Sequence, residues 1–370
     1  MSNVTEADEA ALVRLTEAIV NQHHAQTIVS PKQNGSGFWF GGGNMIQAAN
    51  GTLLLVGRYR NAGDSRTGVS LGERGFQLSV LRSDGPGRPF EEVLSLKKAD
   101  LCIGDRKVLS IEGAALRQTA EGLFELYISS EKTGIDYPTS VKGFLKHGTG
   151  VWTIERLEAK TIEELARAPL QTVLESEDPQ FLHVKDPFLY ERSSGDLMLF
   201  YCTHPFCWTS SNSAYALMRD GELVADSQVF DFFRRGTTWD VAMTRATCVF
   251  DVPQTGRFRN RKVSLIFYDG GESIRELGEH QTAINRPRGY SCEEIGGVAY
   301  IVDGDFSRVH RLSKYQPLMV SPWGTGCSRY VDVLATKDGM ITTWQQSQKD
   351  FSQPLVMNFV ESGKIRPLLA

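Results

Sequence analysis

The chain has 370 residues, with 40 Lys and Arg against 44 Asp and Glu, a formal net charge of −4. That balance removes any global electrostatic reason to bind nucleic acid or an anionic membrane, and no apolar run approaches the roughly 18 residues that cross a bilayer. Hydrophobic residues at 41% suffice for a large core, while 35 Gly, 14 Pro, 19 Phe, 11 Tyr and 6 Trp point to many short strands joined by turns.

Taken in chain order, residues 1–8 are acidic and lack the basic and apolar regions of a secretory signal, so the protein is expected to be cytoplasmic. Thr5 and Asp8 form a capping-box start, and Leu12, Leu15 and Ile19 recur at helical spacing. We expect one helix there, within an N-terminal extension over 1–30, packed on the outside of a single domain over 31–370. A second helical stretch is expected over 161–168, stopped by Pro169, which cannot continue a helix.

Elsewhere one phrase recurs: a polar opening, a short apolar strand, a turn, then a strongly apolar strand. Its copies are 44–51 with 52–58, 112–116 with 122–129, 186–190 with 195–201, 243–250 with 262–268, and 329–334 with 339–344. Their starts lie about 57–86 residues apart, a period that suits β-propeller blades around a central axis. The expected fold is therefore an all-β, five-bladed β-propeller with a short N-terminal helix. A weaker unit over 290–303 leaves six blades open. A β-sandwich accounts for the strands but not for a polar residue opening each repeat. The six cysteines, at 102, 202, 207, 248, 292 and 327, form no Cys-x-x-Cys pair and read as structural thiols.

In a propeller the first strand of each blade lines the channel, so the residue at its start stands at the mouth. These residues are Asn44, Glu112, Asp186 with Lys185, Arg245 with Asp240, and Arg329 with Asp332. The openings resemble those of the five-bladed propeller glycoside hydrolases of families 43, 32 and 130. Asp186-Pro187-Phe188 followed by Gly195-Asp196-Leu197 is similar to the family 43 blade opening. Lys185-Asp186 resembles a family 130 blade. Asn44, Arg58-Tyr59-Arg60, Ser83-Asp84-Gly85 and Phe90 follow in that family's order, which makes it the closer pattern. The resemblance spans about residues 40–345 and implies glycoside hydrolase or β-mannoside phosphorylase chemistry. It departs at the catalytic positions. Family 43 places a base Asp where this chain has Asn44 and an acid Glu where it has Arg245. Family 130 has Glu-Asp-Pro-Arg where this chain reads Glu112-Gly113-Ala114-Ala115.

Glycoside hydrolysis needs one carboxyl group to protonate the leaving oxygen and a second to activate water or attack the anomeric carbon. Glu112 and Asp186 are the expected pair, with Asp240 a third candidate. Arg58, Arg60 and Arg66 surround Asp64, and Arg245 and Arg329 open later blades; arginine forks bind carboxylate, sulfate or phosphate. Asn44, Lys185 and His204 complete the expected substrate contacts, and Trp39, Trp208, Trp239, Tyr268 and Trp323 offer faces on which a sugar ring stacks. Sialidases offer a partial likeness through their arginine triad, but Ser83-Asp84-Gly85 is a single Asp-box-like turn. No His spacing suits a transition metal, so no cofactor is expected, with room left for a structural Ca²⁺ in the channel. The leading expectation is a glycoside hydrolase cleaving short, acidic oligosaccharides. Its alternatives are a phosphorylase, which Asn44 in place of a base would suit, a non-catalytic carbohydrate-binding propeller, and a polysaccharide lyase using Tyr268 or Tyr290 with His204. The expected partner is a small carbohydrate, with no nucleic acid and no membrane.

Overall fold

The apolar half of each repeat becomes the second strand of a sheet. Leu53–Arg60, Val263–Gly271 and Gly339–Gln346 are buried at every residue, because both faces of such a strand meet a neighbouring sheet. The computed structural model describes residues 4–60, 73–272 and 294–370. They form five antiparallel sheets. Blade one opens with Trp39–Gly41 and Met45–Gln47, then Leu53–Arg60, Gln77–Ser83 and Glu91–Lys97. Blade two runs Val108–Gln118, Phe124–Lys132, Val151–Ala159, Gln171–Leu174. Blade three is His183–Glu191, Leu197–His204 and Asn212–Arg219, edged by Glu222–Leu223 and Val229–Phe233. Blade four is Met243–Asp251, Val263–Gly271, Ile295–Val302 and His310–Arg311. Blade five is Ser328–Ala335, Gly339–Gln346 and Leu355–Glu361. The protein is an all-β, five-bladed propeller. The weak unit over 290–303 is no sixth blade; its described part is the third strand of blade four.

Hydrophobic clusters fill each seam between adjacent blades. Leu54, Val56 and Leu78 of blade one meet Ile111 and Leu126 of blade two. Similar clusters join blades two and three, three and four, and five and one. The seam between blades four and five also takes the helix Glu6–Ile19, whose Leu12, Leu15 and Ile19 are fully buried. Its start is a capping box: the Asp8 amide donates to Thr5 Oγ1 at 3.2 Å, and the Thr5 amide to Asp8 Oδ2 at 3.0 Å. After the helix, Gln26–Val29 pairs antiparallel with Leu355–Glu361 and becomes the outermost strand of blade five. The two ends of the propeller sequence thus share one sheet, which covers an edge that would otherwise be open. The boundary read at residue 30 falls just past this strand. A second helix, Ser362–Leu368, follows the last strand. The stretch over 161–168 forms only the short 3₁₀ turn Glu163–Arg167; Ile162 and Leu165 anchor it, but with Pro169 closing it the segment is too short to hold an α-helix.

The opening strands share one irregularity. Pairing with the second strand shifts register between Ile111 and Ala114, Lys185 and Phe188, Ala246 and Cys248, and Arg329 and Asp332. A bulge frees residues from the ladder and re-aims their side chains. Asp186 and Tyr330 take left-handed backbone, each at φ 53°. A non-glycine residue rarely adopts it, and such strain gathers at functional sites.

Candidate active site

The bulged opening strands of blades two to five and the end of Leu53–Arg60 in blade one bring charged residues to one end of the channel. Gly42, Gly113, Asp186, Thr247 and Tyr330 line the channel itself. Asp186 sits at its wall with every oxygen engaged. Its Oδ1 accepts from the Gly113 amide at 2.9 Å, and its Oδ2 lies 3.1 Å from Arg245 and 3.6 Å from Lys185. Its own amide donates to Ser129 Oγ at 3.0 Å. Gly113 is needed for this approach, because a Cβ there would fall 2.7 Å from Asp186 Oδ1 and 2.9 Å from its Cα.

Arg245 is the hub. Its guanidinium reaches Asp186, donates to Asp269 from Nε at 3.1 Å and from Nη2 at 2.6 Å, and meets Glu294 at 2.6 Å. It lies 4.2 Å from the ring centre of Tyr330, whose amide donates to Asp269 Oδ1 at 3.0 Å. Arg329 bonds Glu294 from the other side. Across the mouth, Arg58 donates to the Gly41 carbonyl at 2.9 Å and pairs with Glu112 at 3.3 Å, while Ser110 Oγ donates to Glu112 at 2.8 Å. Arg74 pairs with Glu131 at 2.5 Å. Trp39 carries two guanidiniums, with Arg329 at 4.2 Å and Arg60 at 4.6 Å from its centre.

Burial and charge compete at each group. Burial drives Glu112 upward, but Lys185, Arg58 and Arg74 outweigh it and hold the carboxyl below its ordinary range. Burial likewise raises Glu294 and Asp186; Arg245 and Arg329 hold Glu294 down, and Lys185, Arg245 and Arg58 hold Asp186 down. Asp269 is pushed up to about 6 by burial despite Arg245. Burial pushes Arg60 down to about 9, beyond what nearby Glu112 restores. Glu112 and Glu294 keep 14% and 18% of their side chains exposed, whereas Asp186 keeps 4%. The two glutamates are thus the carboxylates of the group that face solvent most.

Of the residues read from sequence, Arg58, Arg60, Glu112, Lys185, Asp186, Arg245 and Arg329 converge here. His204 lies beside them, buried, 4.2 Å from the Trp208 ring centre and 3.4 Å from Cys202 Sγ. Burial and Lys185 push its basicity down. Trp208 is 5.8 Å from Lys185 Nζ. Asn44 braces two blades instead, its amide both donating to and accepting from the Leu116 backbone at 2.9 and 2.8 Å. Asp332 accepts from the Met45 amide at 2.8 Å, joining blades five and one. Asp240, Trp239 and Tyr268 form a separate buried group. Tyr268 and Arg311 bond Asp240 at 3.2 and 2.9 Å, and Trp239 donates to the Ser313 carbonyl at 2.8 Å. Trp323 packs near His23, 6.4 Å away. Asp64, Arg66 and Tyr290 lie outside the described residues. Among the described residues no three metal-ligating side chains come together.

Asp269, Glu294, Tyr330, Arg74 and Glu131 do not stand out in the sequence. The signal for two of them is positional. An antiparallel second strand ends where the first begins, so charged residues at those ends, Glu131 and Asp269, return to the same mouth.

No family model matches the sequence, and no curated protein matches it. Solved structures do. A glycoside hydrolase aligns with TM-score 0.60 at 10% identity, over 96% of each protein. A thermostable family-43 glycoside hydrolase aligns with TM-score 0.54 at 10% identity, over 90% of this protein and 92% of that one. A GH43_1 enzyme from Xanthomonas citri, complexed with xylotriose, aligns with TM-score 0.51 at 12% identity, over 95% of this protein and 93% of that one. At these identities the likeness is one of fold. It supports the resemblance to the family 43 propeller and lends none to the closer family 130 pattern.

Proposed function

We propose that this protein is a glycoside hydrolase acting on short, acidic oligosaccharides at the channel mouth. One observation carries the reading: Glu112 and Glu294, from blades two and four, are both part-exposed and arginine-held in one charged constellation. Glu294, gripped by Arg245 and Arg329, stays ionised and suits attack on the anomeric carbon or activation of water. Glu112 has a single arginine contact among the described residues, at 3.3 Å, and is the group to carry the proton. Lys185, Arg58 and Arg74 outweigh burial and keep Glu112 ionised in the empty site; a substrate anion brought to this cationic cluster offsets them and lets Glu112 take up the proton. Asp186 then positions Arg245 and the Gly113 backbone rather than the substrate. The glycoside hydrolases that share the fold support the reading as neighbours in shape. Incubation with a panel of neutral and uronate-containing di- and trisaccharides, with products resolved by anion-exchange chromatography, tests it. Cleavage independent of added phosphate is the expected result; phosphate-dependent cleavage, or none across the panel, contradicts it.

A further inference from the structure

Five cations of the constellation each have a carboxylate within 3.6 Å: Arg58, Arg74, Lys185, Arg245 and Arg329. Among the described residues Arg60 has none. It is 9% exposed, and its Nε and Nη2 are out of water with no hydrogen-bond partner among those residues. Its close favourable contact is the Trp39 ring at 4.6 Å. An unpaired buried charge is costly, and sites seldom keep one without use.

The two idle atoms are a matched set. Nε–H and Nη2–H point in parallel from one edge of a guanidinium, the edge that chelates the two oxygens of a carboxylate. Arg60 lies on the same face of its strand as Arg58, two residues on, and opposite Trp39 in the register. Glu112 and Arg329 are close enough to act on its charge. With six cations set against Glu112, Glu131, Asp186, Asp269 and Glu294, the described constellation is one negative charge short.

We propose that Arg60 is the specificity-determining residue of the site, and that a side-chain shift opens its unpaired edge to the carboxylate of a uronic acid in the substrate. The ligand's identity as a sugar rests on the glycoside hydrolase reading; the anion preference does not. The bound carboxylate supplies the missing charge and fixes the ring through two parallel hydrogen bonds, which a sulfate or a neutral hydroxymethyl group matches less well in shape.

The test is calorimetric binding of a glucuronate-terminated disaccharide, its methyl ester and its 6-O-sulfated glucose counterpart. We expect the wild-type protein to bind the acid at least about tenfold tighter than the ester, and tighter than the sulfated sugar. Arg60→Met removes the preference. Arg60→Lys keeps a cation on Trp39 but loses the fork, and is expected to lose most of it; it keeps the test available where Arg60→Met does not fold. Equal binding of acid and ester by the wild type, a stronger preference for the sulfated sugar, or a preference that both variants retain overturns the proposal. Failure of the hydrolase reading looks different: no glycoside is turned over, while the Arg60-dependent preference for acid over ester remains.

Discussion

Replacing Arg245 with Met leaves three carboxylates without their shared cation. The guanidinium is 1% exposed and meets Asp186 at 3.1 Å, Asp269 at 2.6 Å and Glu294 at 2.6 Å. Glu294 keeps Arg329 and Asp186 keeps Lys185, but Asp269, fully buried, keeps only the Tyr330 amide among the bonds described. Breaking a buried ion pair from one side costs about 3–5 kcal/mol. For a protein of this length that is a fall in Tm of about 4–6 °C. The pH dependence carries the diagnosis. Without Arg245 the folded-state pKa of Asp269, already raised to about 6, rises further above its unfolded value, so the folded variant holds that proton more tightly. Its deficit is then largest near pH 7.5 and shrinks as pH falls through about 6 towards 4. Chemical denaturation of both proteins at pH 7.5 and pH 5 measures it. A deficit below about 1 kcal/mol, or one that does not change with pH, refutes the idea that Arg245 neutralises a buried acidic cluster.

Two further predictions concern the frame that holds the site. Leu12→Ala empties a fully buried position between the helix and blades four and five, and should cost about 2–5 kcal/mol by denaturant unfolding; a loss under about 1 kcal/mol would mean the helix is not integral. Asp332 is raised by burial from 3.8 to about 6, so its favourable state is full below about pH 4 and lost as pH rises through about 6. Asp332→Asn keeps an acceptor for the Met45 amide and should flatten the decline in stability between pH 4.5 and 7.5 by about 2 kcal/mol; unchanged slopes would place the proton elsewhere.

The blades were legible because their second strands are continuous apolar runs bounded by turns, and because a polar residue recurs at the opening of each repeat, although Glu112, Asp186, Arg245 and Arg329 lie within the first strands rather than before them. The helix was legible from its cap and spacing. Gln26–Val29 was not: four residues carry little pattern, and their partner, Leu355–Glu361, is more than three hundred residues further on. Half of the charged constellation followed from the starts of the first strands. Asp269 and Glu131 escaped because they stand at the ends of second strands, and Glu294 because it precedes a third strand. Trp239 and Asp240 misled by their nearness in sequence to Met243, where blade four opens. The intervening backbone turns Trp239 into the core between blades three and four, and Arg311 takes the Asp240 charge. Asn44 misled differently. It stands at a blade start as expected, but both ends of its amide are spent on Leu116. Sequence locates a residue along the mouth; it does not reveal which partner has already claimed its polar atoms.

In the proposed mechanism Glu112 protonates the leaving group while Glu294 stays ionised. The direct measurement is kcat of Glu112→Gln and Glu294→Gln on two glycosides of one sugar, one with a dinitrophenyl leaving group and one with a sugar. A dinitrophenolate departs without help from an acid. Glu112→Gln should therefore lose about a hundredfold on the sugar leaving group and less than about tenfold on dinitrophenyl, while Glu294→Gln loses heavily on both. Near-normal turnover in both variants, or equal losses on the two substrates in Glu112→Gln, would contradict the account.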